Sequence, residues 1–368
     1  AEARGVDPEK FSKGLLLNEI SIAPLTEDIV TLAASVSNSI LTDKEKEEID
    51  MVIVATESGI DQSKAAAVFV HGLLGIQPFA RSFEIKEACY GATAALHYAK
   101  LHVENSPESK VLVIASDIAK YGVGTPGEPT QGAGSVAMLI TQNPRIMAFN
   151  NDNVAQTRDI MDFWRPNYSS TPYVNGMYST QQYLDCLTTT WDEYKKRYDW
   201  TMDDFAAICF HLPYPKLALK GLRKMMDKTL SQEKKDSLQE NFDKSILYSQ
   251  MIGNIYTGSL FLGLLSLLEN AETLKAGDKI ALYSYGSGAV SEFFSGELVE
   301  GYEAYLDKER LSKLKQRTAL SVADYEKVFF EEVQLDESGS AQFAAYEHQD
   351  YALVEIVDHQ RRYSKVEK

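Results

Sequence analysis

The chain has 368 residues and a formal charge of −16, from 37 Lys plus Arg against 53 Asp plus Glu. Hydrophobic residues make up 44% and charged residues 24%, which excludes a disordered chain, and the length suits two domains or two fused halves. So acidic a surface repels phosphate backbones, arguing against nucleic-acid partners, and the longest apolar stretch, around Ser259–Leu268, is far short of the ~18 residues of a membrane span.

Strand and helix patterns alternate along the chain, which predicts an α/β protein. Met51–Thr56 reads as a buried strand, Asp61–Leu74 as a helix, and Ala88–His102 as a second helix. The strands Val111–Ser116 and Gly134–Thr141 follow. The second half repeats this order loosely: strand Phe205–Leu212, a basic helix from Lys216, an apolar helix Asn254–Leu268, and strand Lys279–Tyr285 running into the turn Gly286-Ser287-Gly288. In each half a strand ends at a polar residue, Glu57 or His211, and a helix then opens at Cys89 or Asn254. The pattern predicts a duplicated unit with its site between the halves, 1–146 and 147–368.

The three cysteines, Cys89, Cys186 and Cys209, are odd in number and unpaired in spacing. They predict a reducing, cytoplasmic setting with neither a disulfide framework nor a cysteine-based zinc site. Cys89, in EACYGATAALHYAK, falls where a helix is expected to begin, and a helix N-terminus favours thiolate over thiol. Gly91, Ala92, Ala94 and Ala95 leave that helix slim enough for close packing. Cys186, on an expected surface helix, and Cys209, on a strand, read as structural.

His211 ends a strand before Leu212-Pro213, at the sheet edge where α/β folds bind ligands. His71, His97, His102, His348 and His359 have no comparable setting. Asn254 reads equally as a helix N-cap, and Glu57 as a helix-start acid. Together, Cys89, His211 and Asn254 supply the nucleophile, base and orienter of a thiol enzyme. Lys216, Lys220 and Lys224 share one helical face with Arg223 beside it, fitting either an anionic nucleotide tail or a solvated surface.

The segments MVIVATES, GIQPFARSFEIKEACYGATA, VLVIASDIAKYG, GEPTQGAG, DFWRP, FHLPYPK, GNIYTGSL, SLLEN and YSYGSG occur in this order over nearly the whole chain. With them the sequence resembles the hydroxymethylglutaryl-CoA synthases, in their bacterial form, within the thiolase-like superfamily. The resemblance implies a thiolase-like fold of two duplicated α/β halves in a layered αβαβα core. It also implies a homodimer, no metal or organic cofactor, and coenzyme A thioesters as substrates. The implied reaction condenses acetyl-CoA with acetoacetyl-CoA to 3-hydroxy-3-methylglutaryl-CoA, for the mevalonate route to isoprenoids.

Carried onto this chain, the resemblance makes Cys89 the acetylated nucleophile, with its own N–H and that of Ser287 as oxyanion hole. Glu57 becomes the base that enolises the acetyl group, and His211 polarises or protonates the forming alkoxide. Asn254 holds the acetoacetyl thioester, Tyr121, Thr130 and Ser179 line the acyl site, and Lys216 and Lys220 face coenzyme A. Asp7 matches a substrate-contacting position, although Asp7-Pro8 also reads as a plain helix start.

The family pattern also places a strand and helix ahead of Ala1-Glu2-Ala3-Arg4, where this sequence has no methionine. A chain lacking that strand, inside the first sheet, is expected to fold poorly because its partners stay unpaired. Further departures fall at Lys13–Leu17, Gly124–Gly127 and Asn167–Ser169, along the expected pantetheine channel.

Three rivals are weighed against this reading. A ketoacyl synthase III-like enzyme shares the Cys-His-Asn set but condenses by decarboxylation and needs no enolising carboxylate, so Glu57 disfavours it. A cysteine hydrolase has the same chain order but a CGSCW-like signature absent here. A non-catalytic acyl-CoA binder is the third.

Overall fold

The computed structural model describes residues 1–346 and 349–366; His348 lies outside them. The N-terminal half runs α1 (Glu9–Ser12), α2 (Ile29–Ile40), α3 (Asp43–Glu48), β1 (Ile49–Ala55), α4 (Ala66–Leu74), β2 (Arg81–Ile85), α5 (Gly91–Asn105), β3 (Lys110–Ala119) and β4 (Gly132–Ile140). Next come β5 (Met147–Phe149), β6 (Val154–Thr157), the hairpin β7 (Phe163–Trp164) and β8 (Tyr173–Val174), α6 (Gly176–Tyr198), β9 (Ala207–Phe210) and α7 (Pro215–Met225). The second half continues through α8 (Gln232–Ser245), α9 (Ser249–Ile252), α10 (Ser259–Asn270), β10 (Lys279–Gly286) and β11 (Val290–Leu298). After α11 (Arg310–Lys315) and α12 (Val322–Phe330), the chain closes with β12 (Ala341–Gln342), β13 (Tyr351–Val357) and β14 (Gln360–Lys365).

Two sheets organise the molecule, in order β2-β1-β3-β4 and β5-β11-β10-β9, with β6 also on β11. In each, a parallel pair (β1 with β3, β9 with β10) is followed by an antiparallel strand (β4, β11). This is the expected duplication. Strand alternation sorts the side chains into layers. Met51, Ile53 and Ala55 of β1 and Ile280 and Leu282 of β10 face a shared interior, filled by α5 and α10. Val52 and Val54 face outward against α2 and α4, while Ala281 and Tyr283 face α6, α7 and α8. The order is helix, sheet, helix, sheet, helix. Small residues at Ala92, Ala95 and Ala99 let α5 lie between the sheets.

Boundaries differ locally, for physical reasons. The α4 helix begins at Ala66 rather than Asp61, because the Asp61 carboxylate accepts from the Ser63 and Lys64 N–H groups and forms a turn. Strand β9 spans only Ala207–Phe210, so His211 lies just beyond its end. Within the described residues β4 pairs only with β3, whereas β5 and β6 cover the equivalent side of β11.

A third, small sheet, β12-β13-β14, clasps the N-terminal half. The Asp28 carboxylate caps α2 through the Val30 and Thr31 N–H groups, and its second oxygen accepts from Tyr363 Oη at 2.6 Å and Arg361 at 3.1 Å. Among the described residues no helix is long and apolar enough to cross a membrane.

Leu267 of α10 is fully buried between the two sheets. Leu267→Ala is expected to lower unfolding stability by about 2–5 kcal/mol, since the sheets cannot collapse into the space, read as a lower midpoint in urea.

Candidate active site

Glu57 follows β1 and Cys89 follows β2, at the carboxyl ends of adjacent parallel strands. Cys89 Sγ lies 3.2 Å from Glu57 Oε1, with the thiol donating. Helix α5 starts at Gly91, two residues beyond Cys89, and Ala88 takes a left-handed φ of 43°, which turns the Cys89 segment sharply. The sequence reading expected the helix terminus to favour thiolate. The surroundings do the opposite: burial first, then the Glu57 and Asp117 charges, push the thiol well above its usual range. Burial and the Asp117 charge likewise push the Glu57 carboxyl up to about 8.

The Glu57 backbone is clamped on both sides. Its N–H donates to Asp117 Oδ1 at 2.9 Å, and its carbonyl accepts from Arg165 at 2.8 Å. Asp117 is fully buried. Its Oδ1 also takes Thr56 Oγ1, Ser58 N–H and Ser58 Oγ, while Oδ2 takes the N–H and hydroxyl of Thr257 from the other half. Asp117 is therefore the joint beneath the site.

Asn254 is buried but caps no α-helix; a 3₁₀ turn, Tyr256–Gly258, separates it from α10. Its Oδ1 accepts from Tyr256 N–H and Ser259 Oγ, both at 2.8 Å, and its Nδ2 donates to Tyr121 Oη at 3.0 Å. The second Nδ2 hydrogen has no hydrogen bond among the described residues. Thr130 accepts the Asn254 N–H on its carbonyl. Tyr121 packs edge-on against Phe163 and Tyr256, and burial holds its hydroxyl un-ionised.

His211 is held by its N–H on the Tyr283 carbonyl and by Tyr183 Oη on its own carbonyl. The imidazole is buried, Nδ1 has no hydrogen-bond partner among the described residues, and burial pushes its pKa down to about 3. At neutral pH it is uncharged. It sits beside the carboxyl end of β10, whose continuation is the Ser287 turn.

That turn presses against the Cys89 turn. A Cβ on Gly286 would meet the Glu87 carbonyl at 2.6 Å and the Tyr90 N–H nitrogen at 2.7 Å, so only glycine permits the approach. Asp162 braces it, accepting Gly288 N–H at 2.9 Å and Tyr285 Oη at 2.7 Å, with Ser179 Oγ at 3.5 Å. The Gly286–Gly288 turn, which carries Ser287, thus packs against the Glu87–Tyr90 turn, which carries Cys89.

Not every expected residue joins this cluster. Asp7 is exposed, and its carboxylate accepts Glu9 N–H as a helix start. Lys216 and Lys220 lie on α7 with no ion pair among the described residues, while Lys224 pairs with Asp185 at 3.7 Å. The departing segment Leu15–Leu17 lies over the start of α7, where the Leu15 carbonyl accepts Lys216 N–H. Cys186, on α6, and Cys209, on β9, are both buried, as structural cysteines should be. Asp117, Asp162 and Arg165 were missed. Asp117 carried a signal, a lone carboxylate in the apolar run VLVIASDIA.

A cysteine and a carboxylate at strand ends, an adjacent N–H turn, and a buried histidine and asparagine on the mirrored half define a thiolase-like condensing enzyme. Residues 2–145 match the hydroxymethylglutaryl-coenzyme A synthase N-terminal model, and residues 153–243 and 223–365 the C-terminal model. Hydroxymethylglutaryl-CoA synthase of Enterococcus faecalis is 55% identical over 338 residues, 91% of this chain and 88% of that protein. A crystal structure of HMG-CoA synthase complexed with CoA is 68% identical, with TM-score 0.98, over 100% of this chain and 94% of that one. MvaS in complex with 3-hydroxy-3-methylglutaryl coenzyme A is 32% identical, with TM-score 0.86, over 100% and 94% of the two chains. The chain belongs to the hydroxymethylglutaryl-CoA synthase family and is an acyltransferase that condenses acetyl-CoA with acetoacetyl-CoA.

The raised Glu57 carboxyl has a stability signature. The folded state keeps this proton to about 8, whereas the unfolded chain releases it near 4.5, so ionisation costs the fold increasingly between those values and fully above 8. Glu57→Gln, a neutral mimic, should gain in Tm over the parent as pH rises from 4.5 to 8, with a constant gap above 8. A gap independent of pH would contradict the raised pKa.

Proposed function

We propose that the condensation runs on these residues in three steps, and the 3.2 Å Cys89–Glu57 contact carries the reading. In the first, Glu57 takes the thiol proton as Cys89 Sγ attacks the acetyl-CoA carbonyl. The Cys89 and Ser287 N–H groups stabilise the tetrahedral oxyanion, and the departing coenzyme A thiolate regains the proton. A thiol held un-ionised needs such a base in contact.

In the second step Glu57, again a carboxylate, takes a proton from the acetyl methyl group. A carboxylate raised to about 8 is a far better base than one near 4.5, and the enolate forms on an oxygen already facing the N–H turn. The enolate carbon attacks the acetoacetyl ketone. Neutral His211 donates an N–H to the forming alkoxide, Asn254 and Tyr121 orient the thioester, and the Glu57 proton completes the tertiary alcohol. Water then hydrolyses the Cys89 thioester and releases 3-hydroxy-3-methylglutaryl-CoA. Protons and bonds balance among thioesters, water and these side chains, so no metal or cofactor is needed. Lys216 and Lys220 offer coenzyme A phosphates unpaired positive charge, and Thr130 and Ser179 support the acyl site through Asn254 and Asp162.

We infer a homodimer and a cytoplasmic setting. Strand β2 ends its sheet, with Phe79 90% exposed before it and Tyr98 and Leu101 exposed on the neighbouring α5. A second copy pairing at this edge would cover both the open strand and its apolar face.

Acetyl-CoA alone should add one acetyl group to the Cys89 peptide by mass, and Cys89→Ser should abolish it. Glu57→Ala should lose condensation by at least about 100-fold; normal condensation would remove Glu57 as base. The condensation pH profile should lack a step near 6.5, the ordinary histidine value, because His211 is already neutral there.

A further inference from the structure

Tyr121 rides on a loop, residues 120–131, that is tied down from behind. Gln131, 2% exposed, accepts the Tyr121 N–H at 2.7 Å and the Gly122 N–H at 3.1 Å on one side-chain oxygen. Its side-chain nitrogen donates to Tyr325 Oη on α12 at 2.8 Å. Gln131 thus bridges the loop to an element about 200 residues later in the chain.

The same residue abuts Asn254. A Cβ on Gly253, whose φ is 86°, would lie 1.9 Å from the Gln131 carbonyl oxygen, and one on Gly132 would lie 2.5 Å from the Asn254 carbonyl oxygen. The backbones of 130–132 and 252–254 are in direct contact, and the Thr130 carbonyl takes the Asn254 N–H. Helix α12 grips the loop at two more points. Glu326 pairs with Arg4, which also holds Glu128 at 2.7 Å, and Glu128 accepts Gly124 N–H. The Lys120 ammonium lies 5.4 Å from the Phe329 ring centre. Tyr325, Glu326 and Phe329 share one helical face.

We propose that Gln131, backed by Tyr325, is a positioning residue that fixes Tyr121 against Asn254, and so sets the second substrate for attack. The role rests on the condensation described above. Without Gln131 the Tyr121 and Gly122 N–H groups lose their acceptor and the loop shifts. The Tyr121–Asn254 contact, at 3.0 Å, then loosens. The Cys89–Glu57 pair, held by Asp117 and Arg165, does not use this bridge, so acetylation and condensation should separate.

The test compares Gln131→Met, Gln131→Glu and Tyr325→Phe in two assays: acetylation of Cys89 by acetyl-CoA alone, and full condensation against acetoacetyl-CoA concentration. Gln131→Met should cut condensation kcat/KM at least about tenfold, the scale of one lost buried hydrogen bond, with KM for acetoacetyl-CoA raised and acetylation within about twofold of the parent. Tyr325→Phe should shift the same parameters by a smaller factor. Gln131→Glu, whose carboxylate can still accept both N–H groups, should recover part of the loss. Equal loss of acetylation and condensation, or no change in either, would overturn the proposal. If Gln131→Met fails to fold, Tyr325→Phe alone decides it: a selective condensation defect supports the role, and parental kinetics refute it. A parent protein that acetylates Cys89 but forms no 3-hydroxy-3-methylglutaryl-CoA would instead refute the assigned reaction.

Discussion

Asp117 is a carboxylate with no access to water, and its two oxygens are divided between the halves of the molecule. One holds the end of β1 through Thr56, Glu57 and Ser58, and the other holds Thr257 in the turn ahead of α10. A buried carboxylate is tolerable only when such donors replace its hydration. Because Asp117 fixes the Glu57 backbone, it fixes the 3.2 Å contact with Cys89; because it fixes Thr257, it also sets the turn between Asn254 and α10. The duplicated sheets bring two half-sites together, and this one side chain sets their distance.

The same burial creates an electrostatic conflict. Glu57 and Asp117 are neighbouring acids in a dry setting, and Cys89 lies against one of them. The result is a thiol held against a strongly basic carboxyl, not a free thiolate awaiting substrate. Such a site is unreactive until a thioester arrives to accept charge at the N–H turn. Keeping His211 neutral follows the same logic, since an imidazolium would have no counter-charge on its unpaired Nδ1 side. The fold pays for this in stability, as sites built for chemistry commonly do.

Much of this was legible in the sequence. Alternating apolar runs marked β1, β3, β4 and β10, because strands buried on both faces read as continuous hydrophobic stretches. Polar residues ending such runs marked Glu57 and His211. What was hidden was long-range. The protonation of Cys89 depends on Glu57 and Asp117, 32 and 28 residues away, and local helix reasoning gave the opposite sign. The bracing of the Ser287 turn by Asp162 joins positions more than 100 apart. Asp61 also misled, because its turn-forming carboxylate sits in a helix-like pattern.

The clasp of β12–β14 on the N-terminal half has a consequence for the order in which the molecule can be completed. The cap of α2 finds its last two partners, Arg361 and Tyr363, some 335 positions downstream. During synthesis the N-terminal half emerges first and must wait, with Asp28 incompletely paired, until Arg361 and Tyr363 have left the ribosome. Contacts of such separation close late and slowly. Strand β14 therefore acts as a seal on α2, set only after the more than 300 residues between them have been made.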